Sequence, residues 1–170
     1  MNYLKFIFAL VLSLYFLWVA YDPLQGSFLD LVNLPIHETG HLIFRPFGEF
    51  LMVAGGSLFQ VIMPALFVVY FWRREDYYSA SIVLFWVGQS ILNVYVYAND
   101  AVVMQLVLIT GYTGSEGSFH DWNYLLTRTG LIGSTKTIAN LIRLVGTLII
   151  LIATALSIFY AFNPTRRFSN

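Results

Sequence analysis

The feature that most limits this chain is its long runs without charge. Tyr3 to Tyr21 is apolar apart from Lys5 and Ser13. A second run extends from Ser79 to about Ile109, and a third from Thr137 to Phe162, closed by Arg166-Arg167. A bilayer is crossed by about 20 such residues in a helix. Charged residues are 11% of the 170, against roughly 25% in soluble domains. The expected solvent is therefore lipid. Since helices satisfy their own backbone there, the expected fold is an all-α, polytopic integral membrane bundle of roughly four to six membrane segments. Residues 1–170 read as one such domain with no appended soluble module. A cleavable signal is the rival reading of the first run, which has a basic start and ends Val19-Ala20-Tyr21. The net charge of zero argues against a nucleic-acid partner.

Between the first and second runs lies His37-Glu38-Thr39-Gly40-His41. Positions i and i+4 share a helix face, so two imidazoles can point at one metal ion. Zinc is the usual metal for this pair, and the glutamate sits where it can take a proton from the water that the metal activates. Ionisable side chains are costly in a membrane, which adds weight to a short motif. Asp30 and Asn33 are suitable caps for the motif helix, and Arg45-Pro46 ends it. It is too short for an ordinary span, so it is expected to tilt or to enter only partway.

A catalytic zinc site takes about three protein ligands and leaves one position open. There is no cysteine and there are only three histidines, so the third ligand must be His, Asp or Glu. With Glu38 kept as the base, Asp121, His120 and Asp100 are the candidates. Asp121 is also placed to cap a short helix from Trp122 to about Leu131, and His120 could be a plain loop residue. Gln89, Asn93, Tyr97 and Asp100 recur 4, 4 and 3 apart, one helix face that should look into the bundle. Gln60, Gln89 and Asn93 read most simply as interhelical hydrogen-bonding groups, and Gly40 as a packing residue. Trp122 reads as an interface anchor and Arg143 as a snorkelling side chain. A Gly/Ser-rich loop is expected over residues 110–119.

From about Leu34 to Leu131 the chain resembles the site-2 protease family of intramembrane zinc metalloproteases, in particular small bacterial members that carry only the core. The resemblance rests on the His-Glu-x-x-His motif, on Gly55-Gly56-Ser57 with Gln60 and Pro64 after it, on Tyr97-Ala98-Asn99-Asp100-Ala101, and on the late Asp121. It implies that His37 and His41 bind one zinc ion per chain, that Glu38 is the base, and that Asp121 is the third ligand. The family's aspartate is usually followed by Gly and preceded by Asn-Pro. Here His120-Asp121-Trp122 departs from that pattern, which leaves His120 open as the ligand with Asp121 orienting it.

The resemblance further implies an endopeptidase cutting a transmembrane or membrane-proximal segment of another membrane protein, in a bacterial inner membrane. Gly55 and Gly56 are then expected as an extended segment that pairs with unwound substrate by strand addition. Asn93 and Asp100 are expected on the substrate side. Regulation would fall to a membrane partner or to substrate supply. Two other classes compete: a scaffold with a structural or vestigial motif, and a small metal transporter suggested by the polar stripe. Lys5, Arg73-Arg74 and Arg166-Arg167 all favour the cytoplasmic side. They can share it only if the motif helix or the Gly-Gly segment is re-entrant.

Overall fold

The computed structural model describes residues 3–163. These form α1 (Tyr3–Tyr21), α2 (Asp30–Phe44), α3 (Glu49–Arg73), α4 (Tyr77–Asn99), α5 (Asp121–Arg128) and α6 (Thr135–Phe162), joined by short 3-10 turns. Among the described residues there is no strand, only an isolated bridge between Val107 and Thr113. Four helices, α1, α3, α4 and α6, are long and apolar enough to cross a membrane. The chain is an all-α helical bundle and a multi-pass membrane protein.

Helical periodicity decides which faces meet lipid. Leu4, Ile7, Val11 and Leu14 on α1 are exposed, as are Leu141, Leu144, Leu148 and Leu151 on α6. Each set recurs at spacings of three and four, one stripe of a helix. The opposite faces close on α4, where Phe85 and Leu92 pack with Phe16, Val19 and Ala20 of α1 and with Ile150 and Ala153 of α6. α4 and α6 approach closely because Gly88 and Gly146 lack side chains. A Cβ on Gly88 would lie 2.7 Å from Ile150 Cγ1, and one on Gly146 would lie 2.9 Å from Leu92 Cδ2.

The ends of the helices sort onto two sides. Tyr78 Oη donates to the Lys5 carbonyl, and Phe6 packs on Phe162. The starts of α1 and α4 and the end of α6 therefore lie together, with Arg73 ending α3 and Arg74 in the turn before α4. At the other side Lys136 donates to Asn99, and the Arg143 guanidinium donates to the Tyr21 carbonyl and lies over the Tyr95 ring. Arg166-Arg167 lies outside the described residues. Lys5 and Arg73-Arg74 share one side because α2 is the re-entrant element. After α1 the chain dips back, so that Tyr15 Oη donates to Ser27 Oγ. That is six residues, about 9 Å, below the end of α1. Asp30 then meets Gln89 and Asn93 midway along α4, and α2 climbs from there to the far side.

Two expectations fail at this level. Gly55 and Gly56 do not form an extended segment; they lie inside α3, which starts at Glu49. An open backbone in lipid would need foreign partners, whereas the helix supplies its own. The glycines cost helix propensity, about 1 kcal/mol each, and allow α2 and α3 to touch backbone to backbone. A Cβ on Gly40 would collide with the Gly55 carbonyl oxygen, and one on Gly55 would lie 2.6 Å from Phe44 Cβ. The polar helix also stops at Asn99 instead of running on to Ile109. Asp100 accepts the backbone amides of Gln105 and Leu106 and turns the chain there.

The α2–α3 contact gives a stability prediction. Gly40→Ala and Gly55→Ala should each destabilise the detergent-solubilised protein by about 1–3 kcal/mol through overpacking. Gly133→Ala, where no atom lies within 4 Å of the new Cβ, should leave it unchanged. Equilibrium unfolding followed by circular dichroism measures all three.

Candidate metal centre

The helical repeat of α2 puts His37 and His41 on one face, with ring centroids 4.8 Å apart. Each ring is oriented by its Nδ1. His37 Nδ1 donates to Gln60 Oε1 at 3.0 Å, and His41 Nδ1 donates to the Met52 carbonyl at 2.9 Å. Both acceptors can only accept, so each Nδ1 carries a proton and each Nε2 is the ring atom left to face a metal ion. Anchoring the far nitrogen in this way is the usual support for a metal-binding imidazole.

The two Nε2 atoms face Asp121, which comes from 84 positions further along the chain. Asp121 Oδ2 is 2.9 Å from His37 Nε2 and 3.2 Å from His41 Nε2. Ligands at zinc–ligand lengths of about 2.0–2.1 Å in a tetrahedron are separated by about 3.3 Å. The two distances from Asp121 are thus close to the spacing that a tetrahedral ion requires. The ligand atoms of His37, Glu38 and His41 all lie within 4.8 Å of one another. Behind the histidines is Gly56, where a Cβ would sit 2.5 Å from His37 Nε2 and 2.7 Å from His41 Cε1. Only glycine leaves space for both rings. The donor set, the ring orientations and this space all suit zinc.

Asp121 is placed by its short helix. Its amide donates to Tyr97 Oη, Trp122 Nε1 donates to Ser57 Oγ, and Asn123 Nδ2 donates to the Ala101 carbonyl. Trp122 is therefore a tie between α5 and α3. The N-cap is His120, not Asp121: His120 Nδ1 accepts the Asn123 amide. Capping leaves the Asp121 carboxylate free to face the histidines.

His120 and Asp100, the other candidates for third ligand, pair with each other instead, His120 Nε2 lying 3.4 Å from Asp100 Oδ2. Burial draws the His120 imidazole below the usual histidine range, against an opposing pull from Asp100. Tyr97 stands between the two groups, 5.8 Å from the His37 ring and 4.5 Å from the His120 ring.

A cavity of about 640 Å³ opens onto the centre, within the range typical of ligand sites. Asp30, His37, Glu38, His41, Tyr97 and Asp121 are part of its polar wall, and Leu34, Leu106 and Leu108 are among its apolar neighbours. Asn93 lines the cavity, but its amide is committed: it accepts from Gln60 and donates to Asp30. Asp100, Gly55 and Gly56 are not in the lining. The expected strand pairing at the glycines has no free backbone edge there, because helical hydrogen bonds occupy it.

Asp30 and Asn33 contribute to the site beyond the capping roles read from the sequence. Asp30, Asn33, His37 and His41 recur 3, 4 and 4 apart, a polar stripe like the one on α4, and the two stripes face each other. No family model, curated protein or solved structure matches this chain.

The geometry separates the candidate ligands. Purified protein should carry about one zinc per chain, lost in His37→Ala and Asp121→Ala and retained in His120→Ala. Gly56→Ala should also lose it, because the added methyl meets both rings. Elemental analysis of folded variants gives the answer.

Proposed function

We propose that this protein is a zinc-dependent intramembrane endopeptidase of the site-2 protease kind, acting in a bacterial inner membrane on a transmembrane or membrane-proximal segment of another membrane protein. The observation that carries the reading is the meeting of His37, His41 and Asp121 at one point, with Glu38 beside them, on the wall of a cavity inside an apolar bundle. The depth fits such a substrate. His37 lies against Tyr97, two residues from the end of α4 and so about 3 Å along its axis, while Asp30 reaches the middle of that helix.

When bound, zinc would polarise a peptide carbonyl and make a water more acidic. The chain's own residues do the remainder. His37, His41 and Asp121 hold the three donor positions and leave one side open to the cavity. Glu38 accepts a proton as the water oxygen bonds to the carbonyl carbon. It then delivers that proton to the amide nitrogen as the carbon–nitrogen bond breaks, giving a free amine and a carboxylic acid. A substrate helix must be opened first, because its carbonyls are engaged in backbone hydrogen bonds. The apolar cavity wall offers an unwound segment a surface to settle on.

The polar stripe of α4 supports this reading more than transport. Its amides are used up on Asp30, Asn33 and Gln60, so it presents no continuous path of free ligands.

Glu38→Gln should keep zinc and lower cleavage of a reconstituted membrane substrate by about 10²–10⁴-fold. His37→Ala should lose both metal and cleavage. Unchanged cleavage by Glu38→Gln would overturn the mechanism.

A further inference from the structure

The buried and half-buried amides around the centre have a direction, and that direction ends at one residue. Asp30 Oδ1 accepts from Asn93 Nδ2 at 2.9 Å and from Gln89 Nε2 at 2.6 Å, while Asp30 Oδ2 accepts the Ser27 amide at 2.6 Å. Three N–H donors converge on it, so it acts as an acceptor only. Asn93, having turned its NH₂ to Asp30, presents Oδ1 to Gln60 Nε2 at 2.7 Å. Gln60 in turn presents Oε1 to His37 Nδ1. The Ser90 carbonyl, also accepting from Gln60 Nε2, supports the same polarity.

A second branch runs the same way. Trp86 Nε1, which can only donate, gives its proton to Asn33 Oδ1; Asn33 Nδ2 donates to Gln89 Oε1, and Gln89 Nε2 donates to Asp30. The second branch is assigned by a donor-only group at one end and an acceptor-only group at the other; the first is assigned from Asp30, supported by the Ser90 carbonyl, and passes its polarity on to His37.

We propose that Asp30 is a positioning residue for the metal centre: through Asn93 and Gln60 it keeps the His37 proton on Nδ1 and so keeps Nε2 free to bind the ion. This rests on the zinc-site reading above. Primary amides do not relay protons, so the chain sets polarity and ring orientation and moves no proton. A carboxylate two amides away from a ligand does remotely what a carboxylate hydrogen-bonded to a ligating histidine does directly. It also explains why a half-buried carboxylate is kept within the bundle, where an ionised group is costly.

The test is zinc affinity by chelator competition on the full-length protein in detergent, with cobalt-substituted spectra as a second readout. Asp30→Asn adds two donors where only acceptors fit. It should weaken zinc binding about 10- to 100-fold and alter the cobalt spectrum. Asn93→Leu breaks the chain with Asp30 in place and should do the same. Asp30→Asn combined with Asn93→Asp keeps an acceptor-only carboxylate against Gln60 Nε2, so Gln60 still presents Oε1 to His37, and affinity should recover most of the loss. A purely structural role for Asp30 predicts no such recovery.

Zinc bound as tightly by Asp30→Asn or Asn93→Leu as by wild type would overturn the positioning role and leave the metal centre intact. A double variant no better than Asp30→Asn would also overturn it. Wild type without a His37-dependent metal would overturn the zinc-site reading, and this inference with it.

Discussion

The close contact of α2 with α3 is the constraint that the rest of the molecule depends on. Gly40 and Gly55 bring the two backbones together, and Gly56 leaves the imidazoles room on the same surface. At an ordinary interhelical distance His37 would not reach Gln60, and His41 would not reach the Met52 carbonyl. Lipid provides no hydrophobic force between helices, so association relies on close packing and hydrogen bonds. Three glycines on two helices therefore serve packing and ligand placement together.

A buried polar cluster follows from that contact. Asp30, Asn33, Gln60, Gln89, Ser90 and Asn93 bond mainly to one another. In a low dielectric an unpartnered amide is expensive, and a satisfied network is correspondingly rigid. This network ties α2, which carries His37 and His41, to α3 and α4. α5 is tied on separately, by Tyr97, Ser57 and Ala101, and delivers Asp121. The candidate metal centre is thus held from two directions.

The re-entrant start of α2 accounts for the depth of the site. A helix beginning at the membrane surface would place His37 seven residues, about 10 Å, inside it. Because Asp30 begins at the middle of α4, the histidines climb toward the far side instead. There the loop between α4 and α5 lines the same cavity with Leu106 and Leu108.

Much of this was legible in the residues themselves. Charge-free runs near bilayer length dictate spanning helices, because lipid leaves the backbone no other partner. The i, i+4 spacing of His37 and His41 needs only a helix to become a pair, and the stripe of Gln89, Asn93 and Tyr97 needs only a helix to share a face. Local spacing could not choose among Asp121, His120 and Asp100, since that choice depends on how a helix 84 positions away from His37 docks. Nor could it show that Gly55 and Gly56 are helical. Glycine permits many backbones, and only packing against α2 selects one. The sequence by itself determined the membrane fold and the paired histidines, because these follow from hydropathy and helical period. The tertiary structure alone decided the company of Asp121, the re-entry of α2 and the link from Asp30 to His37, because these depend on contacts between distant segments that no local pattern encodes.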